Sequence, residues 1–534
     1  MSALSAKNNT NRNGDAPDSR YPAAKHGMPA AWDDVILTAS DEEQAVFYRN
    51  QIRFRLSKGL LSPETRFAVV PDLEGQRIGS GGAFFNVLKH LWELNGGPDR
   101  FENRRVLLIN SGGDSVRVPQ YSVCGKLFAP VPRELSGGAP AALFDEIMQS
   151  LAWLPAQLPP GILTVSGDIL ILSQSPAFNC EGCGAAALSV RDSVFKGVGH
   201  GVFVTDEHGV VVRFLHKRSA EEQRQAGAVD GTGMVLIDTG AIWLGTAVVR
   251  DLAGLISAAG KLDADQFGVY VNGETRLSFY TDIVYPMARA SRLEEYYSEQ
   301  PENGYTDELR YCRERLWGIL RKYQMKMIEL SPASFLHFGT TAQALDAMTG
   351  DIEKYSALGW RNRVLSDIAV RGGFNALCSF VDANSRVGEG AYLENSVVIG
   401  SKIGRRCVVS NIRLDGVEIP DNTAVHCLRQ KDGNFVVRIY GVDDDPKRGL
   451  CDNGTFLNRP LTEYMKARGL AAEDLWPREP YDLWNARLYL SCPCAEASLS
   501  HALGLFGRPS GIAANGPLLS MKESADNADK SLFF

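Results

Sequence analysis

The passage Phe380 to Gly404, FVDANSRVGEGAYLENSVVIGSKIG, restricts the fold more than any other. Aliphatic residues return at every sixth position, at Val381, Val387, Leu393 and Ile399, and Gly388 and Gly400 directly follow two of them. Ile403 and Val409 resume the spacing after a shift. A six-residue period with one inward aliphatic fits a parallel β-helix, in which each hexad forms one flat side of a coil. With so few turns, a set of ordinary short strands is the competing reading.

Upstream the periodicity is different. WDDVILTA, from Trp32, reads as a buried strand, and DEEQAVFYRNQIRFRLSKGLL reads as an amphipathic helix opened by acids and closed near Gly59. Strand, glycine turn and helix then follow twice, as TRFAVVPD, LEGQRIGSGG and AFFNVLKHLWEL, and again from RRVLLIN. This alternation predicts an α/β domain, Rossmann-like with a mostly parallel sheet, whose ligands sit at the carboxyl ends of the strands. The expected layout is a disordered tail over 1–31, the α/β domain over 32–345, a helical linker over 346–375, a short parallel β-helix over 376–450 and a C-terminal segment over 451–534.

A chain of 534 residues, 44% hydrophobic, is long enough for two or three cores. Its formal net charge of -7 argues against nucleic acid as a partner, so any phosphate site must be local. The polar, Asn-rich N-terminus lacks the apolar core of a secretory signal. MVLIDTGAIWLGTAVV carries Asp238 and runs into Arg250 and Asp251, too short for a membrane span. Ten cysteines without a regular framework suit reduced thiols in a cytoplasm. Zinc joining Cys180 and Cys183 to Cys492 and Cys494 is only weakly indicated by one CEGC and one distant CPC. SMKESADNADKSLFF lacks a closing element, which leads to the expectation of a longer parent chain.

Three stretches carry chemistry. In NSGGDSVRVPQYSVCGKLFAPVP, Gly112 and Gly113 expose successive backbone N–H groups, Ser115 adds a hydroxyl, and Arg117 and Lys126 add fixed positive charge between Pro119 and Pro130. It matches neither the phosphate loop of nucleoside triphosphatases nor the dinucleotide fingerprint, and a glycine turn with incidental charges is an equal alternative. In GQRIGSGGAFFNVL, Gly79, Ser80, Gly81 and Gly82 open a helix and suit either a base or anion site or close packing. In VSGDILIL, Asp168 is either a cation-binding acid at a strand end or a buried, paired one.

With GHGVF, HKRS, LIDTGAIWL, LHFGT and RIYGVDD, these stretches resemble the L-fucose-1-phosphate guanylyltransferase (GDP-L-fucose pyrophosphorylase) family, including the pyrophosphorylase half of bifunctional fucokinase enzymes. The resemblance covers most of residues 32 to about 490 and implies a nucleotidyltransferase domain followed by a left-handed β-helix. It implies GTP and L-fucose 1-phosphate as partners and Mg2+ as cofactor. It places Gly112, Gly113, Ser115 and Arg117 at the β- and γ-phosphates, Lys126 at the α-phosphate and Lys217 at the sugar phosphate. Gly79, Ser80, Gly81 and Gly82 would meet the nucleoside, and His200, Gly201, Asp238, Thr239 and Gly240 the sugar. Asp168 would bind the metal, with Asp282 as a second ligand. Leu73 in PDLEG, the bulky GAFFN and, in HKRS, the lack of a proline after the lysine depart from the family pattern and bear on the base pocket. The same chemistry on D-arabinose or heptose 1-phosphate, and a non-catalytic nucleotide-sugar sensor, are the rivals. A hexapeptide acyltransferase is disfavoured because no histidine lies in the clearest repeat, and no sugar-kinase ATP loop precedes Phe534.

Overall fold

β1 (Asp34–Ala39) is buried along its whole length because strands flank it on both sides. It begins the computed structural model, which describes residues 31–97, 103–113, 115–173, 178–350, 352–507 and 515–533. The tail expected over 1–31 lies outside these apart from its last residue. α1 (Glu42–Ser57) is capped by Asp41, whose carboxylate accepts from Gln44 N at 2.7 Å. β2 (Arg66–Pro71) follows, then α2 (Gly79–Asn95), which ends on left-handed Gly96 at φ 75°, and β3 (Arg105–Asn110).

β2, β1, β3 and the Gly161–Ser166 strand lie side by side and parallel. Beyond them the sheet turns antiparallel through the Met234–Gly245 strand. The nine-stranded sheet is therefore mixed rather than mostly parallel. Short links account for this: Gly201–Thr205 and Val211–His216 are joined only by Asp206–Val210, whereas a parallel crossover needs about a dozen residues or more.

Short parallel strands in three sheets make up the coil after residue 362. Ala376, Leu393, Val409 and Val425 stack on one face, Val381, Val398 and Leu414 on the second, and Val387, Ile403 and Ile419 on the third. Val398, not Ile399, is the inward residue, and Ile399 is half-exposed. The cause is a coil of sixteen or seventeen residues, shorter than three full hexads. One corner is turned by left-handed Cys378, Asn395 and Asn411, with Asn395 Nδ2 donating to Asn411 Oδ1 at 3.2 Å. The last coil strand, Thr423–Arg429, pairs antiparallel with Phe435–Gly441, and Tyr489–Cys492 adds beyond it. Lys530 returns to α1, its ammonium 2.8 Å from Glu43.

One apolar cluster runs from Leu37 and Leu163 through Phe338, Met348 and Trp360 into Leu393 and Val409, so the sheet and the coil share a core. Among the described residues no helix is long and apolar enough to cross a membrane. All ten cysteines are free. No group of three or more His, Cys, Asp or Glu side chains is arranged for a metal among the described residues, so the two cysteine pairs do not form the joint zinc site.

Candidate active site

Three parallel strands end together, at Ala39, Asn110 and Ser166. Thr38 ties the first two: its hydroxyl accepts from Ser111 N at 2.9 Å and from Gly112 N at 3.2 Å, and Ser111 Oγ donates to its carbonyl at 2.7 Å. The Gly112 N–H is therefore engaged within the protein. A side chain there would press on the Ala39 backbone at 3.2 Å, whereas Gly113 faces open space.

That space is a cavity of about 230 Å3. Gly113, Ser115, Arg117, Lys126 and Asp168 of the expected set line it, and Arg77, Asn110 and Lys447 join them. Ser115 turns the loop with a left-handed backbone at φ 51°. Among the described lining residues, four cationic side chains thus accompany one carboxylate.

Asp168 sits in the turn after the Gly161–Ser166 strand, so it is both at a strand end and paired. Lys126 Nζ donates to its Oδ2 at 2.5 Å and Ser166 Oγ to its Oδ1 at 2.5 Å, while His337 Nε2 lies 3.5 Å from Oδ2. Burial works to raise its pKa, but the charge of Lys126 and the His337 ring outweigh it and hold the carboxyl well below the usual range. The Asn110 side chain has both its oxygen and its nitrogen buried without a partner. Mg2+ usually takes one or two carboxylates plus substrate phosphates, so Asp168 with the Asn110 oxygen fits it once phosphate oxygens complete the set. Lys126 now holds Asp168 Oδ2.

The remaining expected residues divide. His200 borders the cavity group, its ring edge-on to His337 at 5.2 Å and to Phe335 at 5.3 Å. Burial, then the neighbouring His337 and Lys217, push its pKa down to about 4. Lys217 donates its N–H to the His200 carbonyl at 3.0 Å. Its ammonium lies below the ordinary range through dehydration and then the charge of Arg117. Asp238, Thr239 and Gly240 form a bulge beside Ser166. The Asp238 carboxyl, pushed up to about 7 by burial, accepts from Gly240 N at 2.8 Å, and the Thr239 hydroxyl is committed to the Leu188 carbonyl at 2.7 Å.

Three assignments do not gather at the cavity. At Gly201 a side chain would sit 2.6 Å from the Phe214 ring, so glycine there serves packing. Gly79, Ser80, Gly81 and Gly82 do the same: a Cβ at Gly79 would lie 2.3 Å from the Leu277 carbonyl and one at Gly81 2.9 Å from Leu277 Cβ, while Ser80 Oγ accepts from Phe279 N at 2.9 Å. Only Arg77, just before them, reaches the cavity. Asp282 is not free to be a metal ligand. Its carboxylate is buried, paired with Arg313 Nε at 2.9 Å, and accepts from Ser278 N at 2.7 Å.

The coil and the strand after it grip the loop that follows Arg117. Arg438 Nη1 donates to the Pro119 carbonyl at 3.2 Å and to Ser122 Oγ at 3.1 Å. Tyr440 donates to Gln120 Oε1 at 2.8 Å, and Tyr121 to Glu394 Oε2 at 2.8 Å. Arg77, Asn110, His337 and Lys447 were not singled out from sequence. The motifs LHFGT and RIYGVDD flagged the neighbourhoods of the last two, but only the fold brings them to Asp168 and Arg117.

A family model described as "Fucose pyrophosphorylase domain" matches residues 98–494. The chain is 27% identical to an Arabidopsis thaliana bifunctional fucokinase/GDP-fucose pyrophosphorylase, over 86% of this chain and 46% of that one, so it spans about half that relative's length. It is 26% identical to a Homo sapiens fucose-1-phosphate guanylyltransferase over 88% of this chain and 83% of that one. For a Mus musculus fucose-1-phosphate guanylyltransferase the values are 25%, 90% and 88%. With a match across most of its length and a phosphate-suited cavity at its strand ends, the chain belongs to the fucose pyrophosphorylase family.

Proposed function

We propose that this chain is a sugar-1-phosphate guanylyltransferase that converts GTP and L-fucose 1-phosphate to GDP-L-fucose and pyrophosphate. The observation that supports this most is the cavity in which, among the described residues, Arg77, Arg117, Lys126 and Lys447 line the same space as the acid Asp168, an arrangement of positive charge suited to a triphosphate. The names of the human and mouse relatives support guanine and fucose. On this reading a Rossmann-like nucleotidyltransferase unit over 32–345 precedes a left-handed β-helix over 376–450, and the free thiols suit a cytoplasm.

An oxygen of the sugar phosphate attacks the α-phosphorus in line. A new P–O bond forms as the bond to the β-phosphate's bridging oxygen breaks, and its electron pair leaves with pyrophosphate. The attacking phosphate is already anionic, so no general base is required. The protein positions anions and neutralises charge. Arg117 with the Gly113 loop holds the terminal phosphates, Lys126 the α-phosphate and Lys217 the sugar phosphate. Mg2+ on Asp168, when bound, supplies further neutralisation.

Pyrophosphate release with each of four nucleoside triphosphates and L-fucose, D-arabinose and heptose 1-phosphates tests this. GTP with L-fucose 1-phosphate should be fastest, and Asp168→Asn should lower turnover by about a hundredfold. No release from any pair would sink the enzymatic reading, and a faster alternative sugar would reassign the substrate.

A further inference from the structure

We propose that Lys447, carried by the second domain, binds the terminal phosphates of the nucleotide, so that the cavity is complete only when both domains contribute. The proposal rests on the reading of this cavity as a triphosphate site.

Lys447 lines the cavity together with Arg117 and Gly113, although it lies far from both in the chain. Its backbone is closely fixed. The Phe435–Gly441 strand is bolted to the Arg117 loop by Arg438 and Tyr440. The turn that follows is shaped by buried Asp444, which accepts from Gly441 N at 2.6 Å and Leu457 N at 2.8 Å. Lys447 N then donates to Asp445 Oδ1 at 3.0 Å, and the Pro446 carbonyl accepts from Trp484 N at 2.9 Å. A lysine held this firmly at its backbone is aimed by the fold.

The charges around it are not balanced. Lys126 is satisfied by Asp168, while Arg117 and Lys447 form no ion pair among the described residues. Both repel the Lys217 ammonium, which contributes to holding it below its ordinary range. Several converging cations without an anion repel one another, and a bound polyanion removes that cost. Because Asp168 takes Lys126, Arg117 and Lys447 are among the cavity charges that can meet the phosphates farthest from the reacting centre, the pair that departs as pyrophosphate.

The test is calorimetric titration of inorganic pyrophosphate and of L-fucose 1-phosphate into the full chain, compared with Lys447→Ala, Lys447→Arg and Arg448→Ala. Lys447→Ala should weaken pyrophosphate binding about tenfold, the scale of one charge-assisted contact. Lys447→Arg should stay within about threefold. Arg448→Ala should match the parent chain, and sugar-phosphate affinity should be unchanged throughout. Since Lys447 is exposed, an unaltered thermal midpoint excludes misfolding as the cause. If Lys447→Ala binds pyrophosphate as tightly as the parent, which itself binds it and turns over, the Lys447 assignment alone falls. If the parent binds neither pyrophosphate nor GTP, the triphosphate reading falls and takes Lys447 with it.

Discussion

Glu394 shows what a single buried carboxyl does where the coil meets the loop after Arg117. It accepts from Tyr121 at 2.8 Å and from Ser410 Oγ at 2.6 Å, and burial pushes its pKa up to about 7 from the ordinary 4.5. The folded state therefore holds this proton more tightly than the unfolded chain does. Its contribution to stability is fully present below about pH 4.5 and is lost as pH rises through about 7. Glu394→Gln keeps the neutral form at every pH. Thermal unfolding at pH 5, 6.5 and 8 should show parent and variant close at pH 5 and the variant ahead at pH 8 by about 1–3 kcal/mol. A constant gap across the three would mean that Glu394 does not titrate in this window. At this scale the sequence was readable where chemistry is local. Arg117, Lys126 and Asp168 stood out because each sits in or beside a glycine turn at a strand end, and all three line the cavity. Asp282 did not give itself away, because an acid among apolar residues reads alike whether it meets a metal or, as here, Arg313 thirty-one positions on. The glycines that open α2 had two equal readings, and only the position of Leu277 separates them.

Among elements, the coil was the most readable, since its period can be seen without knowing what it packs against. Val381, Val387, Leu393, Ile403 and Val409 all belong to the inward stacks. Ile399 was misread because Val397, Val398 and Ile399 are all aliphatic, and the pattern cannot say which one a shortened corner turns inward. This yields a paired prediction. Val398→Ala should lower the denaturation midpoint, costing about 2 kcal/mol through lost burial and the cavity left between Val381 and Leu414. Ile399→Ala should cost well under about 1 kcal/mol, as a substitution away from the core. Chemical denaturation of both variants decides, and a larger loss at Ile399 would reverse the inward assignment. The sheet was less readable: the antiparallel half depends on which strands meet, and strand pairing leaves little trace in any one strand.

For the molecule as a whole, the fully buried Arg438 links the loop after Arg117 to the coil and to the C-terminal residues. Its guanidinium serves acceptors from three separate parts of the chain, Pro119 and Ser122, His426, and Met521 and Ser524. Burial lowers its pKa to about 10, which still leaves it charged at neutral pH. Arg438→Met should leave buried carbonyls unpaired and cost about 2–4 kcal/mol. It should also raise the KM for GTP, because the loop after Arg117 loses its anchor. A variant that keeps both its midpoint and its KM would show that the junction does not hold the loop. The same contact sets a schedule for biosynthesis. Pro119 and Arg438 are 319 residues apart in the chain. At ~5–20 residues per second, a ribosome delivers Arg438 about 15–60 s after Pro119, and Met521 and Ser524 emerge later still. The sheet around β1 to β3 therefore leaves the exit tunnel with the loop after Arg117 still unanchored, and that anchor is complete only once Met521 and Ser524 have followed Arg438 out.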